Sequence, residues 1–173
     1  MVITFSGLDT DSVNQTGSLG HGITIENNGG GAGRDGWRIS TGWAPYFSNI
    51  AGASGGAGLA DHWGASDITY TIDGGANRFG LLLSTGVRTV WDIEVYDTEG
   101  HLLATGRAAT PNVSKAVFVG YESLDTLIGS FRIRDSDNGY ITLMDDVRFE
   151  TVPAPGALSA LGLAGLAGSR RRR

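Results

Sequence analysis

Aspartate residues near the two ends of the chain have the chemistry of calcium ligands. In the last predicted strand, Asp145 has the same parity as Leu143 and Val147, so its carboxylate is expected to point toward the apolar interior. A buried carboxylate has to be paired, hydrogen-bonded or bound to a cation. Because calcium prefers oxygen ligands, one interpretation is a site formed by Asp9, Asp11 and Asp145. The alternative is that Asp145 accepts hydrogen bonds from the backbone of a crossing loop.

Three aromatic residues, Trp37, Trp43 and Tyr46, lie within a segment (14–66) that is rich in Gly, Asn, Ser and Ala. Flat apolar ring faces can pack against pyranose rings, so these residues are candidates for a sugar-binding platform. Packing in the core or against loops is the commoner role of such side chains and is the alternative interpretation.

Other motifs give little support to catalysis. Residues 52–56 match the G-x-S-x-G pattern of hydrolase nucleophiles, but no strong strand precedes them and no helix follows. His21, His62 and His101 are about 40 residues apart, without the spacing of a metal site. The chain has no cysteine, which excludes disulfides, thiol nucleophiles and cysteine-based zinc sites. We therefore expect a protein that is not an enzyme, with calcium as the one candidate cofactor.

The distribution of charge argues against nucleic acid as a partner. The net charge is −5, and the last four residues are all arginine, so residues 1–169 carry −9. A strongly acidic body repels phosphate, and no basic stripe with interleaved aromatic residues is found in the sequence.

The candidate residues have to be positioned by strands, because apolar and polar residues alternate with period two through most of residues 68–150. Trp91 and Ile93 are expected to face the core, as are Phe131 and Ile133 on a later strand. Roughly seven to nine short strands with regular turn signals predict an all-β fold, an antiparallel jelly-roll-like β-sandwich. The 28 glycines predict long Gly-rich loops in it.

The chain divides into a predicted β-sandwich domain, 1–150, and a C-terminal segment, 151–173. Residues 151–169 are uncharged, and as a hydrophobic helix they would extend about 28 Å, close to the thickness of a bilayer core. Because positive charge stays on the cytoplasmic side, Arg170, Arg171, Arg172 and Arg173 would hold the end of the chain inside and the domain outside.

The C-terminal segment resembles the PEP-CTERM sorting signal, which combines a short motif with two prolines, a short hydrophobic span and a terminal arginine cluster. The motif here reads Val152-Pro153-Ala154-Pro155, with alanine where the namesake Pro-Glu-Pro has glutamate. The resemblance implies export, a membrane-held intermediate, processing by an exosortase, and a final location at the cell surface or in the extracellular matrix. Residues 1–5 read as a strand and not as an export signal, whereas members of the family carry an N-terminal signal peptide, so an in-frame signal peptide upstream of Met1 would support export.

The body also resembles the β-sandwich domains that are common in this family, through motifs such as Phe79-Gly80-Leu81 and Asp145-Asp146-Val147. The family is associated with extracellular polysaccharide and biofilm. The preferred hypothesis is therefore a non-catalytic structural or polysaccharide-binding surface protein. Two alternatives are a secreted carbohydrate-active enzyme and a purely adhesive protein without a small ligand.

Overall fold

The computed structural model describes residues 2–3, 10–14, 16–28, 37–40, 58–61, 67–85, 89–110, 116–135 and 142–151, and of residues 2–3, 10–14, 16, 37–40, 58–61 and 85 it describes only the backbone. These residues form thirteen strands: β1 Val2–Ile3, β2 Thr10–Asn14, β3 Thr16–Gly20, β4 Ile23–Asn27, β5 Trp37–Ser40, β6 Gly58–Asp61, β7 Asp67–Ala76, β8 Arg78–Thr85, β9 Thr89–Asp97, β10 Leu102–Thr110, β11 Val117–Glu122, β12 Ile128–Asp135 and β13 Thr142–Glu150. No helix that could span a membrane is found in this part of the chain.

The strands form two antiparallel sheets. The first sheet has the order β11-β8-β13-β6-β5-β2, with β1 also paired to β13. The second sheet has the order β10-β9-β12-β7-β4-β3. Successive strands cross repeatedly from one sheet to the other, so the predicted antiparallel, jelly-roll-like β-sandwich is confirmed.

The core lies between the two sheets and is built from the apolar positions of alternating strands. Trp91 is fully buried, and its Nε1–H donates to Thr142 Oγ1 of the opposite sheet at 2.9 Å. Phe79 and Phe131 meet across the core with ring centroids 4.9 Å apart. Each such side chain contributes about 1.5–3 kcal/mol through burial of its apolar surface.

Tyr70 places a hydroxyl inside this core, where its O–H donates to Met144 Sδ at 3.0 Å. Burial raises the pKa of the Tyr70 phenol far above its ordinary value, and the negative charge of Asp145 raises it further. The hydroxyl therefore stays protonated and keeps a hydrogen to donate.

The predicted facing of the middle strands is confirmed, because Trp91, Ile93, Phe131 and Ile133 are all buried. The segment 14–66, whose composition fits either long loops or irregular strands, contains the four short strands β3 to β6. The burial of β4 alternates strictly, because only one of its faces meets the core. The predicted C-terminal helix lies outside the described residues.

The outer face of the second sheet carries a ladder of ion pairs. Arg132 forms two hydrogen bonds to Asp67, of 2.7 and 2.6 Å, and a third of 3.3 Å to Glu94. Arg107 Nε lies 2.7 Å from Asp92 Oδ1, nearer the edge of the sheet. The two arginine side chains differ in exposure, at 30% for Arg132 and 70% for Arg107.

This difference predicts unequal contributions to stability. We expect Arg132→Met to lower the free energy of unfolding by about 1.5–3 kcal/mol, because charge-assisted hydrogen bonds shielded from water are lost. The matched variant Arg107→Met should cost less than about 1 kcal/mol, since exposed pairs are screened. Urea unfolding of both variants measures the difference. Equal losses of unfolding free energy would show that the Arg132 ion pairs contribute no more to stability than the exposed Arg107 pair.

Candidate ligand-binding groove

The outer face of the first sheet contains a groove that crosses β11, β8 and β13. We call it the Phe118 groove, and its volume is about 670 Å³, within the range of small-molecule sites. Strand pairing sets Gly120 opposite Gly80 and Gly80 opposite Arg148. The next row toward the end of the sheet is Glu122, Arg78 and Glu150. These positions alternate with core residues, so their side chains point outward.

Phe118 supplies an exposed aromatic ring beside the glycine floor of the groove. The residue is 52% exposed although its strand neighbour Val119 is buried. A Cβ atom at Gly80 would lie 2.6 Å from Phe118 Cζ, and one at Gly120 would lie 3.2 Å from Cε1. The two glycines therefore allow the ring to lie close against the backbone of the sheet, which a larger residue would prevent.

Arg148 lies beside this ring. Its Cζ is 5.5 Å from the ring centroid of Phe118, within the range of a cation–π interaction. Its Nη2 donates to Asp146 Oδ2 at 3.2 Å. Among the described residues, its buried Nε–H has no hydrogen-bond partner. The guanidinium is thus held against the ring by these contacts, and the side chain is 43% exposed.

Arg78 joins two carboxylates at the end of the groove. Its Nη2 lies 2.7 Å from Glu122 Oε1, and its Nη1 lies 3.4 Å from Glu150 Oε2. The hydrogen bond to Glu122, followed by the charges of Glu122 and Glu150, raises the pKa of Arg78 above its ordinary value. All three side chains are at least half exposed. They present a set of charged hydrogen-bonding groups to anything that enters the groove.

A β-bulge in β13 determines which residues reach the groove. Asp145 is opposite Leu82 but Arg148 is opposite Gly80, so Asp146 and Val147 together face one residue of β8. Asp146 has a φ of 48°, in the left-handed region. Its N–H donates to Asp145 Oδ1 at 2.8 Å.

The bulge corrects the predicted orientation of β13. Asp145 is fully buried, as predicted. However, the residue before it, Met144, belongs to the core between the two sheets. Since neighbours on a strand point to opposite faces, Asp145 and Leu143 point away from that core. Beyond the bulge, Val147 points into the core, so Leu143 and Val147 do not share a face.

The predicted calcium ligands are only partly described. Asp145 is buried on β13, and the backbone of Asp11 lies on β2, which β5 and β6 separate from β13. Asp9 and the side chain of Asp11 lie outside the described residues. Strand pairing does not bring β2 next to β13, and no group of three or more metal-binding side chains occurs among the residues that the structure describes. Calcium binding stays a prediction.

The predicted aromatic platform also falls mostly outside the described residues. Trp43 and Tyr46 are not described, and of Trp37 only the backbone on β5 is. Phe118 was not among the sequence candidates, because it lies in a continuous apolar run, 116–119, that is typical of a buried strand. The signal that could have identified it is the glycine pair Gly80 and Gly120, since a strand glycine often marks a close approach.

Comparison with known proteins places the fold but not the family. No protein-family model and no curated protein matches the chain. The K2 cleaved adhesin domain of Lys-gingipain is similar over 87% of this chain and 99% of that one, with 13% identity and a TM-score of 0.54. The enzymatically active domain of tailspike protein 4 from bacteriophage CBA120 is similar over 76% of this chain, with 12% identity and a TM-score of 0.50. The similar region spans 20% of that tailspike chain. These similarities show a shared fold.

A third solved structure, TmCBM61 in complex with β-1,4-galactotriose, has 9% identity and a TM-score of 0.49 over 76% of this chain and 90% of that one.

The left-handed conformation of Asp146 predicts a difference between two truncations. Both Asp146→Ala and Asp146→Gly remove the carboxylate that holds Arg148, but only glycine adopts a positive φ without a steric cost. We expect the alanine variant to be less stable than the glycine variant by about 1 kcal/mol. Chemical denaturation of the pair measures this, and an alanine variant as stable as the glycine variant would contradict the bulge geometry.

Proposed function

We propose that this chain is an exported, exosortase-sorted surface or matrix protein whose β-sandwich binds extracellular polysaccharide through the Phe118 groove, without catalysis. The observation that carries the binding proposal is the exposed ring of Phe118, which lies on a glycine floor between Arg148 and the Arg78 ion pairs.

The composition of the groove matches the chemistry of a sugar chain. A pyranose ring has an apolar face that stacks on a flat aromatic ring, and a rim of hydroxyl groups that both donate and accept hydrogen bonds. Phe118 offers the apolar surface, the arginines offer donors, and Glu122 and Glu150 offer acceptors. The groove crosses three strands at about 4.8 Å spacing and is open at the surface, so a polymer can lie along it.

The arrangement of the carboxylates favours binding over hydrolysis. A glycosidase needs one carboxyl group that donates a proton and a second that acts as base or nucleophile, roughly 5–10 Å apart. In the Phe118 groove, Glu122 and Glu150 both accept hydrogen bonds from the arginine between them. Their oxygens are therefore arranged as acceptors, and neither is arranged as a proton donor.

The binding proposal is tested by truncating the aromatic ring. We expect the protein to be retarded in gels that contain an extracellular polysaccharide, and Phe118→Ala to bind at least about tenfold more weakly, because burial of one large apolar side chain is worth about 1.5–3 kcal/mol. Leu124→Ala is the matched control, since Leu124 is 83% exposed and does not line the groove.

Two results would contradict the proposal. Retardation unaffected by Phe118→Ala would remove the groove as the binding site, and no retardation by any polysaccharide would favour a purely adhesive protein. Release of reducing ends from a bound polysaccharide, lost in Glu150→Gln, would instead favour a carbohydrate-active enzyme.

The sorting proposal rests on the sequence of residues 152–173, which lie outside the described part of the structure. We expect the full chain, produced behind a signal peptide, to stay in the membrane fraction of a host without exosortase and to be released from the membrane when an exosortase is present. Replacing the four terminal arginines by serine should remove the charge that holds the end of the chain on the cytoplasmic side. The chain should then no longer be retained in the membrane with its domain outside. The same distribution in both hosts would contradict exosortase processing and would leave the groove proposal untouched.

A further inference from the structure

The outer face of the second sheet, on the opposite side of the sandwich from the Phe118 groove, contains a second depression. Its floor is formed by Thr69, Thr71 and Ser130, and we call it the hydroxyl groove. It has a volume of about 590 Å³ and adjoins a depression of about 440 Å³ that shares Thr69 and Ser130 with it. Neither depression is lined by the residues named for the Phe118 groove.

Strand pairing arranges hydroxyl side chains in a row across this face. Thr24 is opposite Thr71, and Thr71 is opposite Ser130, on three neighbouring strands. Successive hydroxyl groups in the row are therefore separated by about one strand spacing, 4.8 Å. Within the described part of the chain, no hydrogen bond is found for these three side chains, so the two that line the groove, Thr71 and Ser130, can bind a ligand.

The walls of the hydroxyl groove are held in place by local contacts. One wall is the hairpin loop at residues 98–101, where Asp97 Oδ1 accepts hydrogen bonds from the N–H groups of Glu99 and His101, each 2.8 Å long. Burial opposes ionisation of Asp97, but the hydrogen bonds from His101 and Glu99 outweigh it and hold the pKa of Asp97 below its ordinary value. The hairpin passes so close to Gly129 that a Cβ there would collide with it.

The ion pairs on this face of the sheet are balanced in charge. Arg107, Arg132 and Arg134 form ion pairs with Asp67, Asp92 and Glu94, which makes three positive charges against three negative ones. Of the side chains that line the groove itself, Asp73 and Asp97 are acidic and none is basic. Such a surface repels an anionic polymer and offers hydrogen bonds to an uncharged one.

We propose that the hydroxyl groove is a second binding site, for a neutral, hydroxyl-rich polysaccharide, and that the sandwich bridges two sugar chains on its opposite faces. This inference rests on the proposed function, because it assumes that the Phe118 groove binds polysaccharide. The two sites use different chemistry, since one stacks on an aromatic ring and the other forms hydrogen bonds to a row of hydroxyl groups.

The test measures stoichiometry and bridging for each face. Calorimetry with short oligosaccharides from a neutral polysaccharide that the protein binds should give two sites on the wild-type protein. The double variant Thr71→Val with Ser130→Ala should lose roughly tenfold in affinity at one site, the effect expected from removing two hydrogen bonds. Phe118→Ala should lose the other site. Thr24→Val is the matched control, because Thr24 belongs to the same row but does not line the groove.

Bridging is read from the turbidity or stiffness of a mixture with the intact polysaccharide. The wild-type protein should cross-link the polymer, and each single-face variant should still bind it without cross-linking. A second variant, Thr71→Glu, places a negative charge in the groove and keeps the Ser130 hydroxyl. It should lose affinity at this site and lose cross-linking, as the double variant does.

The possible outcomes separate this inference from the proposed function. If Phe118→Ala abolishes all binding and the hydroxyl variants bind and cross-link like the wild type, the second site is refuted and the Phe118 groove stands. If only the hydroxyl variants weaken binding, the hydroxyl groove stands and the Phe118 groove is refuted. Binding at one site by the wild-type protein refutes the bridging inference.

Discussion

The β-bulge in β13 is the constraint on which the arrangement of the first sheet depends. Regular alternation from Met144 would direct Val147 outward and Arg148 into the core. The extra residue reverses this order, so that Val147 points into the core and Arg148 lies beside Phe118. Asp146 accommodates the bulge in the left-handed conformation, which aspartate tolerates better than most residues. The bulge at Asp146 thus determines both that Val147 packs in the core and that Arg148 lies in the groove.

Ion pairs on each outer face of the sandwich neutralise part of the charge of this acidic domain. The outer faces are therefore less negative than the net charge suggests. The body carries a net charge of −9, yet its arginines are placed where carboxylates on neighbouring strands can pair with them. Cross-strand spacing makes this regular, because side chains opposite each other on one face are about 5 Å apart. In the two proposed sites, the groups available for recognition are an aromatic ring in one and a row of hydroxyl groups in the other.

The sequence was sufficient to predict the sandwich and the inward side chains of β9 and β12, because strict alternation leaves one face apolar. It was not sufficient for β13, where the bulge breaks the period after Met144 and no glycine marks the position. The Phe118 groove was missed for a related reason. An exposed phenylalanine in an apolar run looks buried until the pairing of Gly80 with Gly120 is known, and that pairing joins residues 40 positions apart. Local sequence patterns therefore predicted the strands, whereas the residues of the groove are determined by the register between strands that are distant in sequence.

The position of β13 in the first sheet has a consequence for the order in which the protein can fold. Of the described strands it is the last to be synthesised, yet it lies between β8 and β6 and also pairs with β1 near the start of the chain. A nascent chain that lacks β13 cannot connect the two halves of this sheet. Such non-local pairing slows folding, because chain entropy is lost before the contacts form. The first sheet therefore cannot be completed until its last strand is available, whereas the second sheet contains no strand later than β12.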